Sequence, residues 1–140
     1  METKKKVAIA GAGSWGTALA MVLADNGHDV RLWGIDTDQI KEINEKHTNE
    51  KYLPSIALPP TITGYTDLTE ALDGVEQLIV AVPTKAIREV IKKVCGVAKQ
   101  PLVVVHVSKG IEPDTLMRIS EMIEQESNPA IITDVVVLSG

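Results

Sequence analysis

Apolar residues fall along this chain in short unbroken runs, separated by segments with a helical period. The first run, Lys6-Val7-Ala8-Ile9-Ala10, reads as a strand buried on both faces. It halts at Gly11-Ala12-Gly13-Ser14-Trp15-Gly16 and restarts as an alanine- and leucine-rich helix over 17–26, which Gly27 stops. The nearly continuous apolar character of 18–24 predicts a helix pressed against a sheet. Val30-Arg31-Leu32-Trp33 gives the next strand and completes a βαβ unit with a right-handed crossover. A helix over 37–46 follows, with Ile40 and Ile43 inward. Residues 47–60 hold Tyr52-Leu53-Pro54 and Pro59-Pro60 without periodicity and predict a long loop.

Ile62 and Tyr65 bracket a short strand, after which Asp67 and Glu70 stand at capping-box spacing, opening a brief helix that ends near Gly74. Residues 77–82 predict a fourth strand ended by Pro83. Residues 84–95 predict a helix with Ile87, Val90, Ile91 and Val94 on one face, ended by Gly96. Residues 101–107 predict a fifth strand running into Ser108-Lys109-Gly110. Pro113-Asp114 opens a helix with Leu116, Ile119, Met122 and Ile123 inward, and 135–138 make a last strand before Ser139-Gly140. Strand and helix alternate throughout, which predicts an α/β fold: a doubly wound, mostly parallel sheet in one domain over 1–140. Ligands of such sheets bind beyond the carboxyl ends of the strands.

Composition narrows this further. The chain is 44% hydrophobic with two Trp, two Tyr and no Phe, so the core is built of Val, Ile, Leu and Ala. A formal net charge of −5 argues against a nucleic-acid or anionic-membrane surface. The single Cys95 cannot form an internal disulfide and suits a cytoplasmic protein. No apolar run reaches membrane-spanning length, and Gly11 and Gly13 interrupt the one nearest the amino terminus too early for a secretory signal. Lys4-Lys5-Lys6 is a solvated lead-in to the first strand.

Gly11-x-Gly13-x-x-Gly16 sits on a strand-to-helix junction, where a dinucleotide fingerprint has a mechanism. Gly11 permits the tight turn, Gly13 lets backbone approach a pyrophosphate, and Gly16 lets helix and strand pack closely. The amide groups and positive dipole end of the following helix then face the anion. Asp36 lies about 20 residues past Gly16, where an acid accepts hydrogen bonds from the adenosine ribose and disfavours the extra phosphate of NADP. It is equally placed to cap the helix after it, as is Asp38, and the two roles compete for one side chain. Lys109 follows an apolar strand and either projects over the cleft towards a phosphate or carbonyl oxygen, or is an ordinary exposed lysine. Trp15 covers the pyrophosphate or packs against another domain. His28, His47 and His106 form no metal spacing with acids or with Cys95, and His106 reads as a core or edge histidine rather than a base.

The segment Gly11-Ala12-Gly13-Ser14-Trp15-Gly16-Thr17-Ala18-Leu19-Ala20 resembles the opening of bacterial-type NAD(P)-dependent glycerol-3-phosphate dehydrogenases. So do 79–84, Val107-Ser108-Lys109-Gly110-Ile111-Glu112 and Val137-Leu138-Ser139-Gly140, and the likeness runs the length of the chain. The resemblance implies a Rossmann NAD(P)-binding domain cut before a helical substrate domain. It implies the coenzyme half of an enzyme that interconverts dihydroxyacetone phosphate and sn-glycerol 3-phosphate in the cytoplasm, for glycerophospholipid synthesis. It assigns coenzyme contacts to the matches of Ser14, Trp15 and Lys109, and substrate contacts to those of Lys109 and Gly140. Gly11, Gly13, Gly16, Ile35, Asp36 and Pro83 complete the expected coenzyme site, with no metal. Many bacterial members carry basic residues where this chain has Ile35-Asp36, a departure that favours NAD over NADP. The family's proton-donating lysine lies in the helical domain, so the resemblance implies no catalytic residue and no turnover in this chain alone. Apolar surface bared by that cut leaves self-association, as a homodimer, open. A related β-hydroxyacid-type reductase would share the fingerprint without the Ser-Trp and Ser-Lys-Gly segments. An NAD-sensing module would have no need of a cation at Lys109.

Overall fold

The computed structural model describes residues 5–108 and 113–139. Six strands, β1 (Lys6–Ala10), β2 (Asp29–Trp33), β3 (Ile62–Tyr65), β4 (Gln77–Val80), β5 (Leu102–Ser108) and β6 (Ile132–Ser139), form one sheet. Their order is β3-β2-β1-β4-β5-β6 and every pairing is parallel. The fold is therefore the expected doubly wound Rossmann arrangement. The direction of winding reverses between β1 and β4, which places a crevice over the carboxyl ends of those two strands.

Both faces of the sheet are covered, and this explains why the strands read as unbroken apolar runs. Along β1 the pleat sends Ile9 to one face and Ala8 and Ala10 to the other. Helices α1 (Ser14–Asp25) and α2 (Thr37–Lys46) cover the Ile9 face with Ala20, Ala24, Ile40 and Ile43. Helices α3 (Leu68–Ala71), α4 (Ile87–Val97) and α5 (Pro113–Glu126) cover the other face, where Ile87, Ile91, Val94, Ile119 and Ile123 are fully buried. Among the described residues, no helix is long and apolar enough to cross a membrane.

Several boundaries move from those the pattern predicts. α1 starts at Ser14, inside the glycine motif, and it buries only a narrow stripe of small residues, Gly16, Thr17, Ala20 and Ala24. Val22 on its outer side is 58% exposed, so the helix is less enclosed than its composition suggests. β4 ends at Val80, two residues early, because Ala81 to Pro83 turn over the crevice after the Ala81 amide donates to the Ala10 carbonyl at 2.8 Å. Gly96 lies within the last turn of α4 rather than ending it, since Val97 and Ala98 beyond it pack on the core. β6 begins at Ile132, where polar Thr133 and Asp134 mask the strand pattern.

Candidate functional site

The glycine motif forms a turn tied by backbone to the end of β2 and packed against Ala81. The Gly11 amide donates to the Trp33 carbonyl at 2.9 Å, and Gly11 takes φ +121°, a conformation that L side chains rarely adopt. A Cβ on Gly11 would lie 2.7 Å from the Ala81 carbonyl oxygen, and one on Gly16 would overlap the Gly11 carbonyl oxygen. Both glycines are thus required by the protein's own packing. Gly13 is different: a Cβ there would meet nothing within 4 Å. It caps α1 with φ −76° and ψ −170°, backbone values open to any residue, and lies against a cleft of about 800 Å³.

That cleft is bounded on one side by the turn and by Gly34, Ile35 and Asp36 after β2, and on the other by Ala81 to Pro83 after β4. Gly11, Gly13, Ser14, Trp15, Ile35, Asp36 and Pro83 thus share one cavity, with Gly16 packed beneath it. The first turn of α1 carries no acidic residue and its cap makes no side-chain hydrogen bond, whereas Asp36 caps α2 and Asp67 caps α3. The positive end of α1 therefore faces the cleft with no acidic residue in its own first turn, which suits an anion. Ile35, 81% exposed at the lip, presents apolar surface to the cavity.

The carboxylate of Asp36 accepts from the amides of Asp38 (3.1 Å) and Gln39 (3.2 Å), so it is an N-cap. Both bonds land on Oδ1, and Oδ2 stays outside the cap. Capping and ribose contact therefore do not exclude one another, contrary to the competition expected from sequence. His106 is 3% exposed in β5 and lines the cleft; burial lowers its pKa below the ordinary 6.5, leaving a neutral imidazole at pH 7. Lys109 and Gly140, the expected substrate contacts, lie outside the described residues.

With this geometry in place, likeness to known proteins becomes specific. The family described as "NAD-dependent glycerol-3-phosphate dehydrogenase N-terminus" matches residues 6–140. The chain belongs to that family. It is 60% identical over 136 residues to a Geobacillus kaustophilus glycerol-3-phosphate dehydrogenase [NAD(P)+], covering 97% of this chain and 39% of that protein. It is 57% identical over 137 residues to the Shouchella clausii protein of the same name, covering 97% and 40%. The crystal structure of glycerol-3-phosphate dehydrogenase from Coxiella burnetii superposes with a TM-score of 0.77 at 37% identity, over 88% of this chain and 38% of that one. The chain thus spans about two-fifths of the length of the curated relatives it matches.

Within this dehydrogenase amino-terminal fold, residues that sequence reading passed over also reach the cleft. Gln39 on α2 and Tyr52 from the long loop line it, as do Glu89 and Lys93 on α4. The Lys93 ammonium lies 3.4 Å from the Glu89 carboxylate and 6.0 Å from the centre of the Trp33 ring. The i, i+4 spacing of Glu89 and Lys93 signalled a helix-surface pair, and only the crossing of α4 over the crevice turns that pair towards a cavity.

The loop 47–60 is compact. His47 ends α2 in the left-handed region at φ 54°, and the Leu58 amide returns to the His47 carbonyl at 2.7 Å. Glu42 on α2 accepts from the Glu50 amide (2.8 Å) and the Thr48 hydroxyl (2.7 Å), and these bonds hold its carboxyl below the ordinary 4.5. A depressed carboxylate stabilises the fold above the unfolded-state value and loses that contribution as pH falls through the folded-state one. Glu42→Gln is therefore expected to lower the melting temperature at neutral pH, with the gap to wild type closing as pH drops below 4.5. A gap that stays constant down the acid limb would remove this role from Glu42.

Proposed function

We propose that this chain holds NAD(H) in the cleft at the β1–β4 crevice. The observation that carries the reading is the open space over Gly13. Two of the three fingerprint glycines are demanded by packing, whereas the third is demanded by nothing within the described protein, and its missing side chain leaves room for a ligand. The turn formed by Gly11, Gly13, Ser14 and Gly16 holds the pyrophosphate, with Trp15 beside it. Ile35 and Pro83 offer apolar surfaces to the adenosine, and Asp36 Oδ2 accepts from its ribose hydroxyls. Lys109 contacts coenzyme and substrate, and Gly140 contacts substrate, as the family resemblance implies.

The chain then serves as the coenzyme-holding part of a cytoplasmic enzyme that interconverts dihydroxyacetone phosphate and sn-glycerol 3-phosphate, in glycerophospholipid precursor synthesis. Its substrate is a small phosphorylated molecule. Bound NADH supplies a hydride for the substrate's ketone carbon. The protein's own contribution here is to bind and orient the coenzyme, while proton donation belongs to the helical region that the resemblance places beyond this domain. This chain alone is expected to bind coenzyme without steady-state turnover.

Asp36 decides between coenzymes, because a carboxylate repels a 2′-phosphate. Calorimetric titration is expected to show tighter binding of NADH than of NADPH. Asp36→Ala should narrow that difference, and removing the cap should also lower stability by about 1 kcal/mol. Tighter binding of NADPH to the wild-type chain would take Asp36 out of the ribose site.

A further inference from the structure

Three donors converge on the carbonyl oxygen of Ala12, the residue between the first two fingerprint glycines. Asn49 Nδ2 reaches it at 3.1 Å, Thr17 Oγ1 at 3.3 Å, and Gln39 Nε2 also donates to it. The donors are linked to one another: Asn49 Nδ2 lies 3.0 Å from Thr17 Oγ1, and Gln39 Nε2 lies 3.3 Å from Asn49 Oδ1. Asn49 and Thr17 are both 0% exposed. A carbonyl with two lone pairs does not need three donors to be satisfied. A buried asparagine delivered by a loop is also a costly way to satisfy it.

Peptide geometry gives the arrangement a purpose. The chain's described peptide bonds are all trans, so the Ala12 carbonyl and the Gly13 amide project in opposite directions from one rigid plane. Fixing the oxygen into the protein fixes the Gly13 N–H on the opposite side of that peptide bond, and Gly13 itself lines the cleft. Among the described residues, no backbone carbonyl accepts that N–H. The geometry points to Asn49 and Gln39 as positioning residues, which aim the Gly13 amide at an anionic phosphate in the cleft through the Ala12 carbonyl. The inference rests on the coenzyme reading above and adds a task for the loop: it delivers Asn49 beneath the turn. The loop's own fastenings, Glu42 to Thr48 and Glu50, and Leu53 amide to Asn49 carbonyl at 2.8 Å, hold that side chain in place.

The test compares two probes, ADP-ribose, which carries a pyrophosphate, and adenosine, which does not. Asn49→Ala and Gln39→Met are made in the full 140-residue chain, and binding is measured by titration. The expected result is about tenfold weaker ADP-ribose binding in each variant with adenosine affinity unchanged, a tenfold loss being about 1.4 kcal/mol. Equal weakening of both probes, or of neither, overturns the positioning role. Should Asn49→Ala fail to fold, the partly exposed Gln39→Met carries the comparison alone. If the wild-type chain binds neither ADP-ribose nor NADH, the coenzyme reading itself falls, a result distinct from variants that bind like wild type.

Discussion

Gly16→Ala is expected to abolish the folded state or leave it severely weakened. A methyl group there would overlap the Gly11 carbonyl oxygen and sit 3.0 Å from the carbon bearing it. Neither partner can retreat. Gly11 is tied to β2 through its bond to Trp33, and its backbone already lies close against the Ala81 carbonyl. Relief requires α1 to lift from the sheet, uncovering Ala20 and Ala24, both in the core beside Ile9. The cost is about 3 kcal/mol or more, the upper end for overpacking at a rigid site. That is a large part of the roughly 5–15 kcal/mol that holds a domain together. Thermal melting followed by circular dichroism reads the effect, and a melting temperature within a degree or two of wild type would show that the turn yields where rigid backbone is expected.

Gly13→Ala, three residues earlier, is expected to do the reverse. Its added methyl meets no protein atom within 4 Å, and the backbone angles suit alanine, so melting should be nearly unchanged. Coenzyme binding should fall, because the methyl occupies the space through which the turn approaches a pyrophosphate. Losing one hydrogen bond to a charged group, at about 1.5–3 kcal/mol, corresponds to a decrease in NADH affinity of roughly tenfold to 150-fold. The pair separates two roles that a single motif combines: one glycine serves the fold and the other serves a ligand. Unchanged NADH affinity in folded Gly13→Ala would place the coenzyme elsewhere.

The parts legible in the sequence are those whose causes are local. The β1–turn–α1 unit is encoded within residues 6–20, and the apolar runs of β1, β2, β4 and β5 report burial on both faces directly. The two faces of α4 follow from spacing alone. Asn49 was beyond such reading. Its partners Thr17 and Ala12 lie 32 and 37 residues away, and a lone asparagine in a loop carries no periodic signal. Gln39 looks like a surface residue on α2 until the helix is seen to bring it under the turn. The end of β4 moved for a tertiary reason: Val82 is as apolar as Val80, but by then the chain has crossed the crevice. Asp36 was legible as a cap or a ribose contact; only geometry shows that the cap uses a single oxygen.

An amide NMR titration of the nitrogen-labelled chain with ADP-ribose tests most directly whether the bend between β1 and α1 receives a pyrophosphate. The resonances of Gly13 and Ser14 should shift most and saturate together with those of Ile35 and Asp36. Saturable binding that leaves Gly13 and Ser14 unmoved, or no shift at all at millimolar ligand, would contradict it.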